Sequence, residues 1–184
     1  YRDRNLYLAD PEFSAIPVDQ MLSADYAASI RKQINPEKAH QKLPETILPP
    51  HKHTVYISVI DKDRNACSFI NTVFHSFGAG LMAPDSGIVL QCRGQGFVVE
   101  PGHPNCVLPG KRPLHTIIPG MATKDGKTVM SFGVMGGEYQ AFGHMQFLTR
   151  LLDYGMDIQE AQDGARFFPD PFSDVVEVEE AISE

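Results

Sequence analysis

The sequence predicts an α+β protein, with antiparallel strands first and helices after them. Two β-rich runs, at 54–74 and 116–132, are each interrupted by a polar turn and read as hairpins. Phe142, Met145, Leu148, Leu151 and Leu152 then recur at spacings of three and four, as on one face of a helix. Asp157 followed three residues later by Glu160 is a capping-box pattern that starts another helix. Hairpins followed by amphipathic helices give a sheet covered by helices.

The elements follow in order. Asp10-Pro11 and Ile16-Pro17 predict loops and short turns over 1–22. Ser23 is a plausible N-cap for a short helix at 25–32, and Asn35-Pro36 ends it. Residues 36–53 are polar, carry Pro36, Pro44, Pro49 and Pro50, and read as an exposed linker. Thr54 to Ile60 is a strand, 61–65 a turn, and Ala66 to Phe74 the returning strand. Gly87 to Leu90 is strand-like, and the Gly- and Pro-rich stretch 93–113 is irregular. The second hairpin pairs Thr116–Thr123 with Thr128–Phe132 through the Asp125-Gly126 turn, with Pro119 marking an edge or bulge. The glycine-flanked loop 133–137 leads into a helix of about fifteen residues, stopped by Gly155.

Composition narrows the classes. The chain has 184 residues, 42% hydrophobic and 21% charged, in the range of an ordinary globular domain. A net charge of −7 argues against a nucleic-acid or anionic-membrane partner, since both require a basic surface. No apolar run approaches the roughly 20 residues of a membrane span. Cys67, Cys92 and Cys106 form no CxxC pair, and their odd number excludes a complete internal disulfide framework; three reduced thiols are expected. The compartment, cytoplasmic or periplasmic and secreted, stays open. The chain starts at Tyr1 rather than Met and stops just after Glu177-Val178-Glu179-Glu180, so the expectation is a fragment of a longer polypeptide.

The abrupt change from linker to strand at His53-Thr54 is the point of chemical interest. A threonine hydroxyl is a weak nucleophile and needs a base. When threonine is the first residue of a chain, its own α-amine, with a pKa of about 7.7–8.0, serves. That amine exists only after the preceding bond is broken. An exposed linker running up to a strand-initial Thr54 is what such a precursor requires. On spacing alone, a strand threonine chosen for β-propensity is the favoured reading.

Several blocks decide between these readings. Tyr7-Leu8-Ala9-Asp10-Pro11-Glu12-Phe13, the run from Thr54 to Ala66, Phe77-Gly78-Ala79-Gly80, Pro109-Gly110-Lys111-Arg112-Pro113-Leu114, Gly133-Val134-Met135-Gly136-Gly137 and the run from Leu152 to Ala161 occur in this order. Together they resemble the gamma-glutamyltranspeptidase family over nearly the whole chain. The resemblance implies an N-terminal-nucleophile hydrolase with an αββα sandwich, made as a precursor that cuts itself into two subunits. Residues 1–53 would be the end of the large subunit and the linker to the cleavage site. Residues 54–184 would be the small, catalytic subunit, truncated at its C-terminus.

By that resemblance Thr54 is the nucleophile and the His53–Thr54 bond the cleavage site. Thr72 orients the new N-terminus, and Gly136 and Gly137 present backbone N–H groups as an oxyanion hole. Glycines suit that role because no Cβ obstructs the approach to a tetrahedral intermediate. Without the resemblance, Gly136-Gly137 is an ordinary loop before a helix.

The departures concern substrate. Where glutathione-cleaving members carry an asparagine, this chain has Phe74. Paired acids that hold the substrate's α-amine are replaced by Gln95-Gly96, and a Ser-Ser pair that holds the α-carboxylate by His115-Thr116. The chain thus resembles the divergent gamma-glutamyltransferase-like or cephalosporin-acylase-like branch, and weak or no activity on glutathione is expected. Phe74, Arg93, Gly96, His115 and Thr116 are the candidate substrate-binding residues. Arg93, in the loop that replaces the acidic clamp, could hold a carboxylate or be a surface arginine.

The expected activity is cleavage or transfer of gamma-glutamyl or related acyl amides through an acyl-Thr54 intermediate. A non-catalytic or unprocessed relative acting as an interaction protein is the alternative. Expected partners are a small acyl amide and the large subunit of the same precursor, which in the family supplies part of the pocket. No cofactor and no metal are expected. His40, His51 and His53 are spaced loosely in the linker, with no acid or cysteine at ligand spacing. The cysteines are expected in core or loops, with Arg93 beside Cys92 the one basic neighbour.

Overall fold

The computed structural model describes residues 1–38, 54–171 and 173–182. The chain divides into two compact units, Tyr1–Leu48 with Gly94–Leu114, and Pro49–Arg93 with His115–Glu184. The linker's remaining residues, with His40, His51 and His53, lie outside the described residues.

The first unit contains helices α1 (Arg2–Tyr7), α2 (Val18–Met21) and α3 (Ala24–Gln33). α1 and α2 correct the expectation of loops over 1–22. Pro17 occupies the N-cap of α2, next to the position where proline's fixed φ suits a helix start, so the proline did not mark a loop. α1 is tied to α3 by Tyr26 OH donating to Asp3 Oδ2 at 2.9 Å, a contact that no local pattern reveals. α3 matches its expected span, and the Ser23 hydroxyl caps it by accepting from Tyr26 N at 3.1 Å.

Polar groups hold the irregular stretch of this unit. Asp10, only 3% exposed, accepts from Arg112 through the backbone N at 2.9 Å, Nε at 3.1 Å and Nη2 at 2.9 Å. Buried Asn105 donates from Nδ2 to the Gly96 carbonyl at 2.6 Å and accepts from Leu114 N at 3.1 Å. This Gly- and Pro-rich stretch pairs only part of its own backbone, as Val98 N with Asn105 O and Val107 N with Val98 O, each at 3.0 Å, and buried side chains supply further partners.

In the second unit, β1 (Val55–Ile60) pairs antiparallel with β2 (Ala66–Asn71), from Val55↔Asn71 to Ile60↔Ala66. Asp61 Oδ1 closes the turn by accepting from Asp63 N at 2.9 Å and Asn65 N at 2.8 Å. β2 stops at Asn71 rather than at Phe74 as expected, because Phe74 has a φ of +79°, which no strand accommodates. β3 (Gly120–Lys124) pairs with β4 (Lys127–Phe132), with a register shift at Ala122/Thr123. Asp125 and Gly126 have φ of 51° and 73°, the two positive values of a type I′ turn. β3 begins only after Pro119, not at Thr116, since proline offers no ladder donor. The strand expected at Gly87–Leu90 is reduced to a single bridge, Met82↔Val89.

Helices α4 (Tyr139–Leu152) and α5 (Ile158–Asp163) match the expected pair, and the Asp157–Glu160 capping box is formed in both directions. A third ladder, β5 (Phe167–Pro169) with β6 (Val176–Val178), had no counterpart in the sequence reading. Buried Gln146 of α4 organises it, donating to Phe167 O at 2.8 Å and accepting from Phe167 N at 3.1 Å. Among the described residues the strands form three two-stranded sheets.

Two contacts join the elements that carry the site. Tyr56 OH hydrogen-bonds Ser68 Oγ at 3.1 Å and Ser131 Oγ at 3.0 Å, so one phenol links both hairpins. Phe132 of β4 meets His144 and Phe147 of α4 at ring distances of 5.0 and 6.4 Å. On the opposite face of β1–β2, Val55, Ile57, Val59 and Phe69 are 54, 44, 54 and 49% exposed, so that apolar face is open.

Candidate active site

Thr54 immediately precedes β1. Carrying the Val55↔Asn71 register one residue further sets it opposite Thr72. Its Oγ1 is buried and makes no hydrogen bond among the described residues. A buried hydroxyl without a partner is costly, and such groups concentrate where chemistry is done.

Thr72 Oγ1 accepts from Phe74 N at 3.0 Å, closing a tight turn just past β2. That bond helps hold Phe74 in the left-handed region, a conformation a bulky side chain rarely adopts. Phe74 is buried, its ring edge-on to His75 at 4.7 Å. The Arg93 guanidinium lies 4.3 Å above the ring centroid, a cation–π contact. Arg93 Nη1 donates to Thr116 Oγ1 at 3.2 Å. Thr72, Phe74, Arg93 and Thr116 thus form one connected string, with His115 at its end.

The electrostatics of the string are those of a poorly compensated cation. Burial lowers the Arg93 pKa from its ordinary value, and the neighbouring Cys92 and Glu138 oppose that only in part. His115 remains accessible, yet the desolvation its ring does undergo, followed by the Arg93 charge, lowers its pKa; a hydrogen bond at the Ile117 backbone works the other way.

Gly136 and Gly137 have φ of 117° and 58°, so both take conformations that favour glycine. Their carbonyls accept from Tyr139 N at 3.0 Å and Gln140 N at 3.2 Å as the chain enters α4. The N–H groups of Gly136 and Gly137 have no acceptor among the described residues. They sit at the positive end of a fourteen-residue helix, where a developing anion is favoured.

Gly96 belongs to the first unit. It is buried there, its carbonyl taken by Asn105, and an added Cβ would stand 3.0 Å from Leu114 O. Close packing accounts for the glycine. The other named residues belong to the second unit, and His53 lies outside the described residues. A cleft of about 540 Å³ in the second unit lies between β4 and the helices α4 and α5, beside Tyr56, Phe147, Arg150 and Arg166. None of the sequence-named site residues lines it.

Sequence reasoning missed Glu138. It is 4% exposed, follows the glycine pair, and its charge reaches Arg93. The available signal was an acid directly after Gly136-Gly137 at a helix start, which reads locally as an ordinary dipole-complementing residue. Among the described residues no cluster of three or more metal-ligating side chains is present.

Comparison with known proteins gives the class. The Gamma-glutamyltranspeptidase family model matches residues 1–184, and the chain belongs to that family. A glutathione hydrolase proenzyme from Pseudomonas sp. (strain A14) is 40% identical over 181 residues, covering 91% of this chain and 31% of that protein. The glutathione hydrolase-like YwrD proenzyme of Bacillus subtilis (strain 168) is 40% identical over 161 residues, covering 88% of this chain and 30% of its own length. The crystal structure of a cephalosporin acylase from Bacillus halodurans superposes with a TM-score of 0.78 at 41% identity, over 90% of this chain and 30% of that one. The fold is therefore the N-terminal-nucleophile αββα class, represented here in part. The chain spans about a third of the length of these relatives.

Proposed function

We propose that Thr54 is the nucleophile of an autoprocessing amidohydrolase or acyltransferase. The buried, unpartnered Oγ1 of Thr54, set opposite Thr72, is the observation that carries this reading. Cleavage of the His53–Thr54 bond divides the precursor into a large subunit ending at His53 and a small subunit starting at Thr54. The open apolar face of β1–β2 fits a protein partner, and the large subunit of the same precursor is that partner.

In the reaction, the freed α-amine of Thr54 takes the hydroxyl proton as Oγ1 attacks the acyl carbonyl. The N–H groups of Gly136 and Gly137 receive the oxyanion. Collapse expels the amine, which leaves with the proton, and an ester links the acyl group to Thr54. Water, or an acceptor amine, then attacks the ester and regenerates the hydroxyl.

Phe74, Arg93, His115 and Thr116 are the proposed acyl-binding residues. Their chemistry differs from an acidic clamp for a glutamyl amine, so glutathione is a poor substrate and other acyl amides are better ones. The relatives' names include both glutathione hydrolase and cephalosporin acylase, and the acylase side is favoured by these residues. Quenching the full-length protein during turnover of an acyl anilide tests this. The small fragment should gain the acyl mass, mapped to Thr54; modification elsewhere, or efficient glutathione hydrolysis, contradicts it.

A further inference from the structure

We propose that Gln140 is a positioning residue: its buried side chain ties the loop bearing Gly136 and Gly137 to the segment bearing His115 and Thr116, and so fixes the oxyanion donors relative to the acyl-binding residues. The place of this brace in a reaction rests on the acyl-Thr54 reading; the brace itself does not.

Gln140 lies in the first turn of α4. Its N–H donates to the Gly137 carbonyl at 3.2 Å, beside the Tyr139 N–H on Gly136 O at 3.0 Å. The backbone at Gln140 is therefore joined to the glycine pair. Its side chain is fully buried, and Oε1 accepts from Ile118 N at 3.4 Å. Ile118 precedes Pro119 and stands outside β3, so no strand partner serves its N–H. The connection continues along that segment. A hydrogen bond joins His115 to the Ile117 backbone, and Thr116 Oγ1 accepts from Arg93 Nη1 at 3.2 Å. One residue thus meets both halves of the proposed site.

Polarity at this position is costly. Nε2 of Gln140 is buried and has no hydrogen-bond partner among the described residues. A methionine would fill a similar volume without leaving a donor orphaned. What the amide supplies, and an apolar chain cannot, is the acceptor for Ile118 N. A buried donor left unsatisfied requires a reason of this kind, and departures from a fully satisfied core concentrate where function demands them.

Packing grips the loop at its other end. A Cβ at Gly133 would stand 2.3 Å from Tyr56 Cδ2, and one at Gly143 2.6 Å from Val134 Cγ1. Gly136 and Gly137 have no side chains to be packed in this way. Their placement follows from the helix start they lead into, and Gln140 is where that helix start is tied to residues 115–118.

The test uses the full-length, processed protein and an acyl anilide. Gln140→Met keeps the volume and removes both the orphaned donor and the acceptor for Ile118. kcat should fall about ten- to a hundredfold with KM little changed, since a misplacement of about 1 Å has effects of this order. The urea midpoint should stay close to that of the wild type, whereas a residue of merely structural value would lose stability and activity together. On a Gly136→Ala background the same change should slow turnover by less than about threefold, because both substitutions act through one loop. Gln140→Glu, which keeps an oxygen for Ile118 N, should be faster than Gln140→Met. Amide hydrogen exchange reads the brace without turnover: Ile118 N–H should be protected in the wild type and should lose protection, together with Tyr139 N–H, in Gln140→Met. Free exchange at Ile118 in the wild type, unchanged kcat or unchanged exchange in Gln140→Met, a stability loss that matches the activity loss, full additivity with Gly136→Ala, or a glutamate variant no faster than the methionine one overturns the proposal. The wild-type exchange decides if neither variant folds. A protein that forms no acyl-Thr54 but exchanges as described rejects the acyl-Thr54 reading alone.

Discussion

The hydroxyl of Thr72 accepts the backbone N–H of Phe74 at 3.0 Å, and the residue so fastened has a φ of +79°. One side chain therefore stands opposite Thr54 and also holds the turn whose Phe74 ring lies against Arg93. Thr72→Val should leave the Phe74 N–H unsatisfied and cost roughly 1–3 kcal/mol in urea unfolding. Processing should slow in parallel. Thr72→Ser, which keeps the oxygen, should restore both; equal loss in the serine variant would assign the effect to the methyl group.

Gly136→Ala tests the backbone proposed to receive the oxyanion. A φ of 117° is unfavourable for any residue with a Cβ, and the added carbon would also meet Tyr139 Cβ at 3.4 Å. If the N–H is displaced, kcat should fall about 10²–10³-fold with KM little changed, the signature of a transition-state contact. A change confined to KM would speak against the assignment.

Gly133→Ala should be damaging for a different reason. Its Cβ would stand 2.3 Å from Cδ2 of Tyr56, the ring whose hydroxyl joins the two hairpins. Neither side can yield without breaking those bonds, so a loss of roughly 1–3 kcal/mol is expected. Adding Tyr56→Ala should recover part of the loss, a coupling that a double-mutant cycle reads directly.

Asp10 governs the acid limb of stability in the first unit. Hydrogen bonds from the Arg112 side chain and backbone hold its carboxyl well below the ordinary carboxylate range. The folded state therefore binds this proton more weakly than the unfolded chain, whose aspartate titrates near about 3.9. Its contribution is complete above that value and disappears as pH falls through the folded pKa. Asp10→Asn should flatten the decline in stability below about pH 4. Urea melts from neutral to acid pH check this; identical slopes in both proteins would remove Asp10 from the account.

The chain wrote some of this plainly and hid the rest. Ser23 and the Asp157–Glu160 box were readable because a cap involves residues three apart. The Asp125-Gly126 turn was readable because positive φ narrows the residue choice. β2 was drawn too long because Val73-Phe74 has strand composition, while Phe74 is bent by a hydroxyl and an arginine nineteen residues away in sequence. β5 and β6 were invisible because Gln146, on another element, supplies their anchor. At the proposed site, Thr54, Thr72 and the glycine pair were named through family resemblance. Glu138 was not, since its proximity to Arg93 exists only in the folded chain.

The direct test of the central claim is the mass and N-terminal sequence of the full-length protein after purification and incubation. The account expects two fragments, the smaller beginning Thr54-Val55-Tyr56, and a single uncut chain in Thr54→Ala. A wild-type chain that stays uncut, or cutting that persists in Thr54→Ala, would contradict it.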